Sequence, residues 1–539
     1  MGFKTADLWR TPDLNPVNKK AKSVPIFNPV DRHGRVFFFS WLGFMLAFWA
    51  WYAFPPLLTV TIKSDLGLTS EQVANSNIVS LVATLAVRFA SGPLCDQFGP
   101  RKVFSALLLV GSIPIGLAPL IKDATGLYII RLFIGILGGS FVPCQVWCTG
   151  WFDKTVVGTA NALSGGWGNA GGGITYFIMP AVFDSLVHQL GHTPREAWRI
   201  TFVVPLICLI ACGIGLLLLC EDTPMGKWSE RHNVDRNIGA QDISGAIVSI
   251  PGSIADRDPS GTTTPTGGKT LSYDIEKGIA DDRKSAIPQT TTTTTTTTAT
   301  SSPQATTTHL PIPGTTSVIE TARAEVIQAP SLRTSLPIIF SLHALFHVAT
   351  YACSFGGELA INSVLSSYYL KNFPHLGQTR ASNYAAAFGF LNFVTRPLGG
   401  VVGDVLYNLS GGNLWLKKAW IHVCGIVTGA LLIVIGLLDP HNLGVMLGLV
   451  ILMAIFLEAG NGANFALLPH VYPQANGVLS GLTGAGGNLG GVVFAIIFRF
   501  MDGGSDYAKA FWVIGVVHLA LNLLVCWVPP IPKGQIGGR

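Results

Sequence analysis

Two arginines, Arg88 and Arg396, lie inside long apolar stretches of the chain. Each begins the same pattern, R-x3-G-x3-D, which ends at Asp96 in the first copy and at Asp404 in the second. Burying an arginine in a membrane costs roughly 2.5–3.5 kcal/mol on insertion scales, so two at matching positions indicate a function. A guanidinium stays charged and presents a planar fork of donors that fits a planar oxyanion. The repeated pattern therefore predicts a binding site for a small anion.

Two acids in the apolar stretches of the second half, Glu358 and Glu458, leave another interpretation open. Either carboxylate could form a structural ion pair with an arginine, and the arginines would then need no ligand. Either could also carry a proton, since ionisable side chains inside a membrane often belong to proton pathways. The sequence alone does not choose between these roles.

A glycine-rich element with one asparagine also occurs twice. The copies are Gly168-Asn169-Ala-Gly171-Gly172 and Gly487-Asn488-Leu-Gly490-Gly491. Glycines at helical spacing let membrane helices pack closely. A carboxamide inside a membrane needs a partner, so we expect Asn169 and Asn488 to face the anion site. The spacing of Gly166, Gly168 and Gly171 matches a dinucleotide fingerprint, but that motif needs a preceding strand and a βαβ unit, so no cofactor is predicted.

Composition identifies the elements that carry these residues. Of the 539 residues, 49% are hydrophobic and 12% are charged, whereas soluble domains carry about 25% charged residues. Apolar runs long enough to cross a lipid bilayer as helices lie at 36–62, 74–94, 103–121, 126–149, 157–186, 198–220, 336–370, 382–407, 418–438, 442–468, 474–500 and 508–529. The chain is therefore predicted to be an all-α membrane protein. Its net charge of +6 fits a basic inner face and calls for no nucleic-acid partner.

The apolar runs form two sets of six around a long polar insert. Lys and Arg are more frequent in the short segments that face the cytoplasm when the N-terminus is inside. We therefore expect a cytoplasmic N-terminal segment at 1–35, six-helix bundles at 36–220 and 336–529, a cytoplasmic loop at 221–335 and a cytoplasmic C-terminal tail at 530–539.

The insert at 221–335 is rich in Thr, Ser, Pro and Gly, with an unbroken run of threonines at 290–298. Such a composition cannot bury enough apolar surface to fold, so the segment is predicted to be disordered. It is either a tether between the bundles or a regulatory segment that kinases phosphorylate on Ser and Thr.

The two halves are predicted to repeat in parallel. Each has an even number of spans, so both insert in the same orientation, related by an axis along the membrane normal. Asp96 marks the cytoplasmic end of the second span, and Arg88 lies about 12 Å up the helix from it, where half the hydrocarbon thickness is about 15 Å. The same spacing applies to Arg396 and Asp404, so both guanidinium groups are expected near the midplane.

A family resemblance rests on these same segments. Gly92-Pro-Leu-Cys-Asp96-Gln97-Phe-Gly99-Pro-Arg101-Lys102 resembles the loop 2–3 signature of the major facilitator superfamily, with Gln97 where a basic residue is usual. The segments 165–173 and 484–491 resemble the paired nitrate signatures of the nitrate/nitrite porter family, and 355–362 with the long insert resembles fungal nitrate transporters. The resemblance implies the major facilitator fold, with 12 transmembrane helices in two pseudo-symmetric six-helix halves, in the plasma membrane.

The resemblance also implies roles for individual residues. Two arginines clamp nitrate in that family, and these positions match Arg88 and Arg396. The matching aromatic residues, which would sandwich the flat anion, are Phe48, Phe141, Tyr351 and Phe355. Asn169 and Asn488 match the signature asparagines and would orient the site. Packing and gating would fall to Gly168, Gly171, Gly172, Gly487, Gly490, Gly491, Asp96 and Asp404.

The sequence thus predicts a transporter of nitrate, and also of nitrite, that works by alternating access. Uptake of an anion against an inside-negative potential is opposed by ~2.3 kcal/mol per charge per 100 mV, so symport with more than one proton per nitrate is expected. Nitrate/nitrite exchange is the alternative mode. A nitrate sensor with little flux and a membrane enzyme are alternatives of other classes, and the sequence holds no nucleophile–base pair or metal-ligand pattern to support the enzyme.

Overall fold

The computed structural model describes residues 5–15, 19–58, 60–153, 156–229, 331–501 and 506–533, and in these ranges every regular element is a helix. Disorder and kinase sites were predicted for the insert at 221–335, of which 230–330 lies outside the described residues. At its two ends the prediction of disorder is wrong, because 221–229 are ordered and a helix begins at Leu332. Its first residues, 221–229, pack onto the first bundle, because Trp228 is buried against Gly99 and Asp222 binds Arg101 at 2.6 Å.

The first half of the chain forms eight longer helices. They are α1 (Arg32–Trp51), α2 (Ser70–Phe98), α3 (Pro100–Leu117), α4 (Ala124–Ile134), α5 (Phe141–Trp151), α6 (Val157–Asn169), α7 (Gly171–His188) and α8 (Val203–Leu219). Short helices at Pro55–Leu58, Thr61–Asp65 and Pro194–Thr201 lie between them.

The second half forms seven longer helices, preceded by a short one at Leu332–Ile339. They are α9 (Leu342–Asn372), α10 (Gly377–Leu391), α11 (Thr395–Leu409), α12 (Leu414–Leu438), α13 (Leu443–Leu467), α14 (Asn476–Phe500) and α15 (Tyr507–Val525).

The helices account for the predicted spans. In the described ranges, 11 helical stretches are long and apolar enough to cross a membrane. The predicted seventh span is α9, whose 31 residues are long enough but include Ser, Asn, Tyr and Glu side chains that lower its hydropathy. Most of this helix is buried inside the protein, including Glu358, so its polar residues face other helices.

Three of the spans are interrupted close to the predicted site. A 3₁₀ turn, Gly135–Ser140, separates α4 from α5; Ala170 separates α6 from α7; and residues 392–394 separate α10 from α11. Interrupted helices release backbone groups, which membrane proteins tolerate where the backbone lies inside the protein and serves a site. Arg396 is the second residue of α11, directly after one of these interruptions.

The two halves contact each other through two helix pairs, which we call the crosswise contacts. In the first half α2 lies along α14 of the second half, and α11 of the second half lies along α6 of the first. Gly92 makes the first contact possible, because a Cβ there would lie 2.5 Å from the Gly477 carbonyl oxygen. Gly400 has the same role in the second contact, where a Cβ would lie 2.9 Å from the Gly158 carbonyl oxygen. These glycines belong to the repeated sequence motifs, so the sequence repeat is also a repeat of helix contacts.

Candidate functional site

The two repeated arginines meet in the centre of the molecule. Arg88 is fully buried and Arg396 is 1% exposed. Arg88 donates from Nε to the Gly138 carbonyl at 2.7 Å and from Nη1 to the Gly484 carbonyl at 3.3 Å. Arg396 donates from Nη2 to the Tyr351 hydroxyl at 2.9 Å. In the part of the chain that the structure describes, Nη2 of Arg88 and Nη1 of Arg396 have no hydrogen-bond partner. Each guanidinium therefore has one buried donor that is free to bind a further acceptor. Such an acceptor is expected, because a buried charged donor without one is costly.

Both guanidinium groups lie over the same two aromatic rings. The Cζ of Arg88 is 5.0 Å from the Phe141 ring centroid and 4.7 Å from that of Phe355. The Cζ of Arg396 is 5.3 Å and 5.7 Å from the same two centroids. Such contacts stabilise a cation by about 2 kcal/mol or more when desolvated. The rings therefore hold the two positive charges together at one site.

The four predicted aromatic residues form one cluster. Tyr351 and Phe355 stack with their centroids 5.1 Å apart and their planes 7° from parallel. Phe141 faces both at 6.0 and 6.1 Å, with 16° between planes. Phe48 joins at the edge, 6.4 Å from Phe355. The gap between Phe141 and the other two rings divides the halves of the protein, so its width depends on how closely the halves approach.

Each arginine also lies against the glycine-rich segment of the opposite half. A Cβ at Gly165 would lie 3.0 Å from Nε of Arg396, and a Cβ at Gly484 would lie 3.5 Å from Cδ of Arg88. These two glycines occupy matching positions in the two segments. A side chain at either position would enter the space that the guanidinium occupies.

The signature glycines bring each segment against the first helix of its own half. A Cβ at Gly171 would overlap the Met45 carbonyl oxygen on α1, and one at Gly490 would overlap the Ala352 carbonyl oxygen on α9. Three others contact side chains of the same two helices: Gly168 lies against Phe44, Gly487 against Tyr351 and Phe355, and Gly491 against Leu359. Gly172 differs, since it lies against Asn362 on α9 of the opposite half.

The two signature asparagines are buried beside these contacts. Within the described ranges, neither the oxygen nor the nitrogen of the Asn169 carboxamide has a hydrogen-bond partner, and Oδ1 of Asn488 has none. Asn488 donates from Nδ2 to the Gly484 carbonyl at 3.2 Å, the same carbonyl that Arg88 uses. No direct hydrogen bond joins either asparagine to either arginine in the part of the chain that the structure describes. Asn488 is therefore linked to the arginine site through one shared carbonyl.

The acids do not pair with the arginines. Glu358 accepts from Nδ2 of Asn392 at 3.0 Å and from Nδ2 of Asn461 at 2.6 Å. Glu458 accepts a short hydrogen bond from the Thr395 hydroxyl, and its Oε1 has no hydrogen-bond partner among the residues that the structure describes. Among the described residues no ion pair joins an acid to either arginine. The structural ion pair that the sequence left open is therefore not formed.

The motif aspartates lie at the other end of the repeated patterns, where the halves also meet. The Asp404 carboxylate accepts from the backbone N–H and the hydroxyl of Thr159 at 2.8 and 2.9 Å, in the first turn of α6, and binds Lys417 at 2.8 Å. Asp96 lies against Gly477 in the first turn of α14. A carboxylate is favourable at a helix N-terminus, so each aspartate lies in a stabilising position on the opposite half, and Asp404 is hydrogen-bonded to that half directly.

Sequence reasoning missed several residues of the site. Phe465 packs on Phe141 at 4.9 Å and on Tyr351 at 5.1 Å, and Phe44 packs on Phe48 at 4.5 Å. Aromatic residues are common in apolar spans, so nothing in their spacing singled them out.

Three polar residues were also missed, and each has a sequence feature that could have identified it. Arg131 lies in an apolar run, as Arg88 does, and is 4% exposed. It donates to Oδ1 of Asn77 through a short hydrogen bond, and its Nη1 has no partner. Asn392 and Asn461, which bind Glu358, are carboxamides inside spans, as the signature asparagines are.

The fold and this site define a class of protein. Two bundles of membrane-crossing helices meet around a buried pair of charges, as in a transporter whose halves rock about a central site. Residues 40–314 match the family described as Major Facilitator Superfamily, and the chain belongs to that superfamily. The proton:xylose symporter XylE matches the structure with a TM-score of 0.57 at 14% identity, over 93% of this chain and 96% of that one. The predicted fold class is thereby confirmed.

Relatives of known name match nearly the whole chain. Elsinochrome transporter 1 of Elsinoe fawcettii is 34% identical over 97% of this chain and 98% of its own length. High affinity nitrate transporter 2.5 of Arabidopsis thaliana is 28% identical over 94% of this chain and 82% of its own length. Nitrate/nitrite transporter NrtP of Nostoc punctiforme is 27% identical over 95% of each. The predicted resemblance to the nitrate/nitrite porters is thereby confirmed.

Proposed function

We propose that this protein transports nitrate, and nitrite as well, across the plasma membrane by alternating access, with both termini in the cytoplasm. The observation that carries the proposal is the pair of buried guanidinium groups, Arg88 and Arg396. Among the described residues each has an Nη donor without a partner and no ion pair with an acid. A planar anion supplies acceptors in the plane of such donors. The nitrate transporters among the relatives support this choice of anion.

The aromatic cluster suits a flat anion. A planar molecule between two rings needs about 7 Å between them, because carbon contacts are favourable at about 3.5–4.0 Å on each side. Phe141 lies 6.0 Å from Tyr351 and 6.1 Å from Phe355. Entry of the anion therefore requires the rings to separate by about 1 Å. Since these rings belong to opposite halves, binding between them is coupled to the rocking of the halves.

The acids supply the proton coupling. With both arginines charged and both Glu358 and Glu458 ionised, the empty site is neutral. Binding of one nitrate and protonation of both acids leaves one net positive charge, which an inside-negative potential draws inward. Glu458 is the first proton carrier, because its buried Oε1 has no hydrogen bond to support a negative charge. Glu358 accepts two amide hydrogen bonds, so its negative charge is better supported.

Nitrate-evoked currents in oocytes or proteoliposomes test the mode of transport. Symport with more than one proton per nitrate gives an inward positive current that grows as the outside becomes more acidic. Electroneutral uptake that needs nitrite on the opposite side would establish exchange instead. Nitrate binding without measurable uptake at normal surface abundance would establish a sensor.

The relative named for elsinochrome carries a second candidate function, since it is 34% identical along almost the full length. Proteoliposomes that contain the protein and are loaded with elsinochrome test this second function. Elsinochrome movement without nitrate uptake would replace our proposal. The charged site favours nitrate, because two unpartnered guanidinium donors are suited to a small anion.

A further inference from the structure

A cavity of about 180 Å³ lies between the halves, at the opposite end of α2 and α14 from the motif aspartate Asp96. The first half contributes Lys63, Glu71 and Asn77 to its lining, and the second half contributes Arg499. With the predicted orientation this is the outer end of the protein. The volume is sufficient for a small anion with a few waters, each water having a share of about 30 Å³.

The charged residues of this cavity span the two halves. Arg499 on α14 binds Glu71 in the first turn of α2 at 2.7 Å, with 16% of the arginine side chain and 67% of the glutamate side chain exposed. Two cationic side chains line the cavity against one carboxylate. The mostly exposed glutamate is a weakly held partner, because surface ion pairs contribute about 0–1 kcal/mol. An anion in the cavity would compete with this carboxylate for the guanidinium.

Asn77 adds a donor of fixed orientation. Its Oδ1 accepts from Arg131, a guanidinium that can only donate. The amide oxygen is therefore held on the Arg131 side, and the Nδ2 hydrogens remain for an acceptor in the cavity that Asn77 lines. Arg131 is 4% exposed and its Nη1 has no partner, so a second buried positive charge lies directly behind the cavity wall.

The cavity and the central site both lie along α2. On α2, Asn77 contacts Arg131, Thr84 donates to the Gly135 carbonyl at 2.8 Å, and Arg88 donates to the Gly138 carbonyl. From Asn77 to Arg88 the helix rises about 16 Å. Positive charge therefore occurs at the cavity, behind its wall and at the central site.

We propose that this cavity is an outer binding site for small oxyanions, at which Arg499, Lys63 and Asn77 receive the anion and Glu71 competes with it. The proposal rests on the proposed function, since it assigns the site to the same substrate class. A charged vestibule concentrates its counter-ion and raises the rate of entry. It should therefore set the concentration dependence of uptake and leave the central transport step unchanged.

Initial rates of labelled nitrate uptake, measured against nitrate concentration at constant surface abundance, test the outer site. Arg499→Gln and Lys63→Gln should each raise KM about two- to fivefold with kcat unchanged, because a charged contact that stays open to water contributes less than a buried one. Glu71→Gln should lower KM, because it removes the competing carboxylate. Arg195→Gln is the matched control, since it removes a 72% exposed charge at the same end, outside the cavity, and should change nothing.

The outcomes separate this proposal from the proposed function. If Glu71→Gln and Arg499→Gln change kcat in the same direction, the pair is a gate between the halves and the outer site is refuted. If the wild type transports nitrate and no variant changes KM, the outer site is refuted and nitrate transport stands. If the wild type transports no nitrate, the proposed function itself fails, and the outer site for this substrate fails with it.

Discussion

At the scale of single residues, each of the two arginines has donors available for a ligand, because its local contacts use only part of the guanidinium group. Arg88 engages two carbonyls and Arg396 one hydroxyl, and one Nη of each is left without a partner. A lysine carries the same charge as a point without the planar fork. Recognition of a planar anion should therefore depend on the guanidinium shape.

Arg88→Lys should reduce nitrate uptake at least tenfold, in line with the loss of a charge-assisted hydrogen bond at about 1.5–3 kcal/mol. Uptake of labelled nitrate at matched surface abundance measures this. Arg195→Lys, a surface change of the same kind, is the control. Wild-type uptake by the Arg88→Lys protein would show that the guanidinium does not hold the substrate.

Glu458→Gln should abolish proton-driven accumulation of nitrate and spare exchange of labelled for unlabelled nitrate, because the amide cannot take up the proton. The side chain has nearly the same shape, and its oxygen can still accept from Thr395. Accumulation and counterflow are measured in the same vesicles, with and without a proton gradient. Accumulation on the gradient by this variant would remove Glu458 from the coupling pathway.

The central residues were partly predictable. The repeat of R-x3-G-x3-D found both arginines and both aspartates, because matching positions in two halves are an unusual pattern. The four aromatic residues came from family resemblance alone, and Phe465 and Phe44 were missed, because apolar helices contain many phenylalanines. The structure brings the predicted residues together, and their role in binding remains a prediction.

At the scale of helices, close glycine contacts hold α14 to α9 and α7 to α1. The backbone of α9 approaches Gly490 so closely that a Cβ would overlap the Ala352 carbonyl oxygen. Backbone atoms cannot swing away as a flexible side chain can. A methyl group here must push the helices apart.

Gly490→Ala should destabilise the protein by about 1–3 kcal/mol, the usual cost of overpacking, and should slow transport. The midpoint of thermal unfolding in detergent measures the first effect. Gly448→Ala is the matched control, since a Cβ there meets nothing within 4 Å and alanine favours a helix. An unchanged midpoint in Gly490→Ala would mean that these helices do not need close contact.

Apolar runs predicted where the helices lie but not where they are interrupted. The interruptions at Gly135–Ser140, Ala170 and 392–394 occur inside continuous apolar sequence. A hydropathy profile does not locate these interruptions, because it depends only on the side chains, which are the same whether the backbone is helical or distorted. They are stabilised by long-range contacts, such as the bond from Asn392 to Glu358, which sequence patterns do not show.

At the scale of the whole molecule, the two halves meet at their motif aspartates, at the end of the protein that is predicted to face the cytoplasm. Asp404 binds Thr159 on the opposite half and the buried Lys417 on its own. Opening that end must break the contact with Thr159. The strength of this contact should therefore set how often the central site opens at this end of the protein.

Asp404→Asn should open that end more often, because a neutral amide oxygen accepts the two hydrogen bonds from Thr159 more weakly than a carboxylate does. Labelling of the fully buried Cys148 by a small thiol reagent, followed by site-specific mass spectrometry, should become several-fold faster. Asp439→Asn, an acid outside this contact, is the control. Equal Cys148 labelling in wild type and Asp404→Asn would argue against this role of the contact.

The overall architecture was predictable because composition, run length and the internal repeat all indicate paired six-helix bundles. The crosswise contacts of α2 with α14 and of α11 with α6 were not, since they depend on how the bundles meet. The repeat showed that matching residues exist in both halves, and only the structure shows that each arginine lies against the other half's glycine segment.

The most direct test of the central claim is an experimental structure of the protein with saturating nitrate. Our account predicts density for one planar anion within hydrogen-bond reach of both Arg88 and Arg396, between Phe141 and the Tyr351–Phe355 pair. The rings should lie about 1 Å further apart than the 6.0–6.1 Å found here. Nitrate bound elsewhere, with the two guanidinium groups and the ring spacing unchanged, would contradict it.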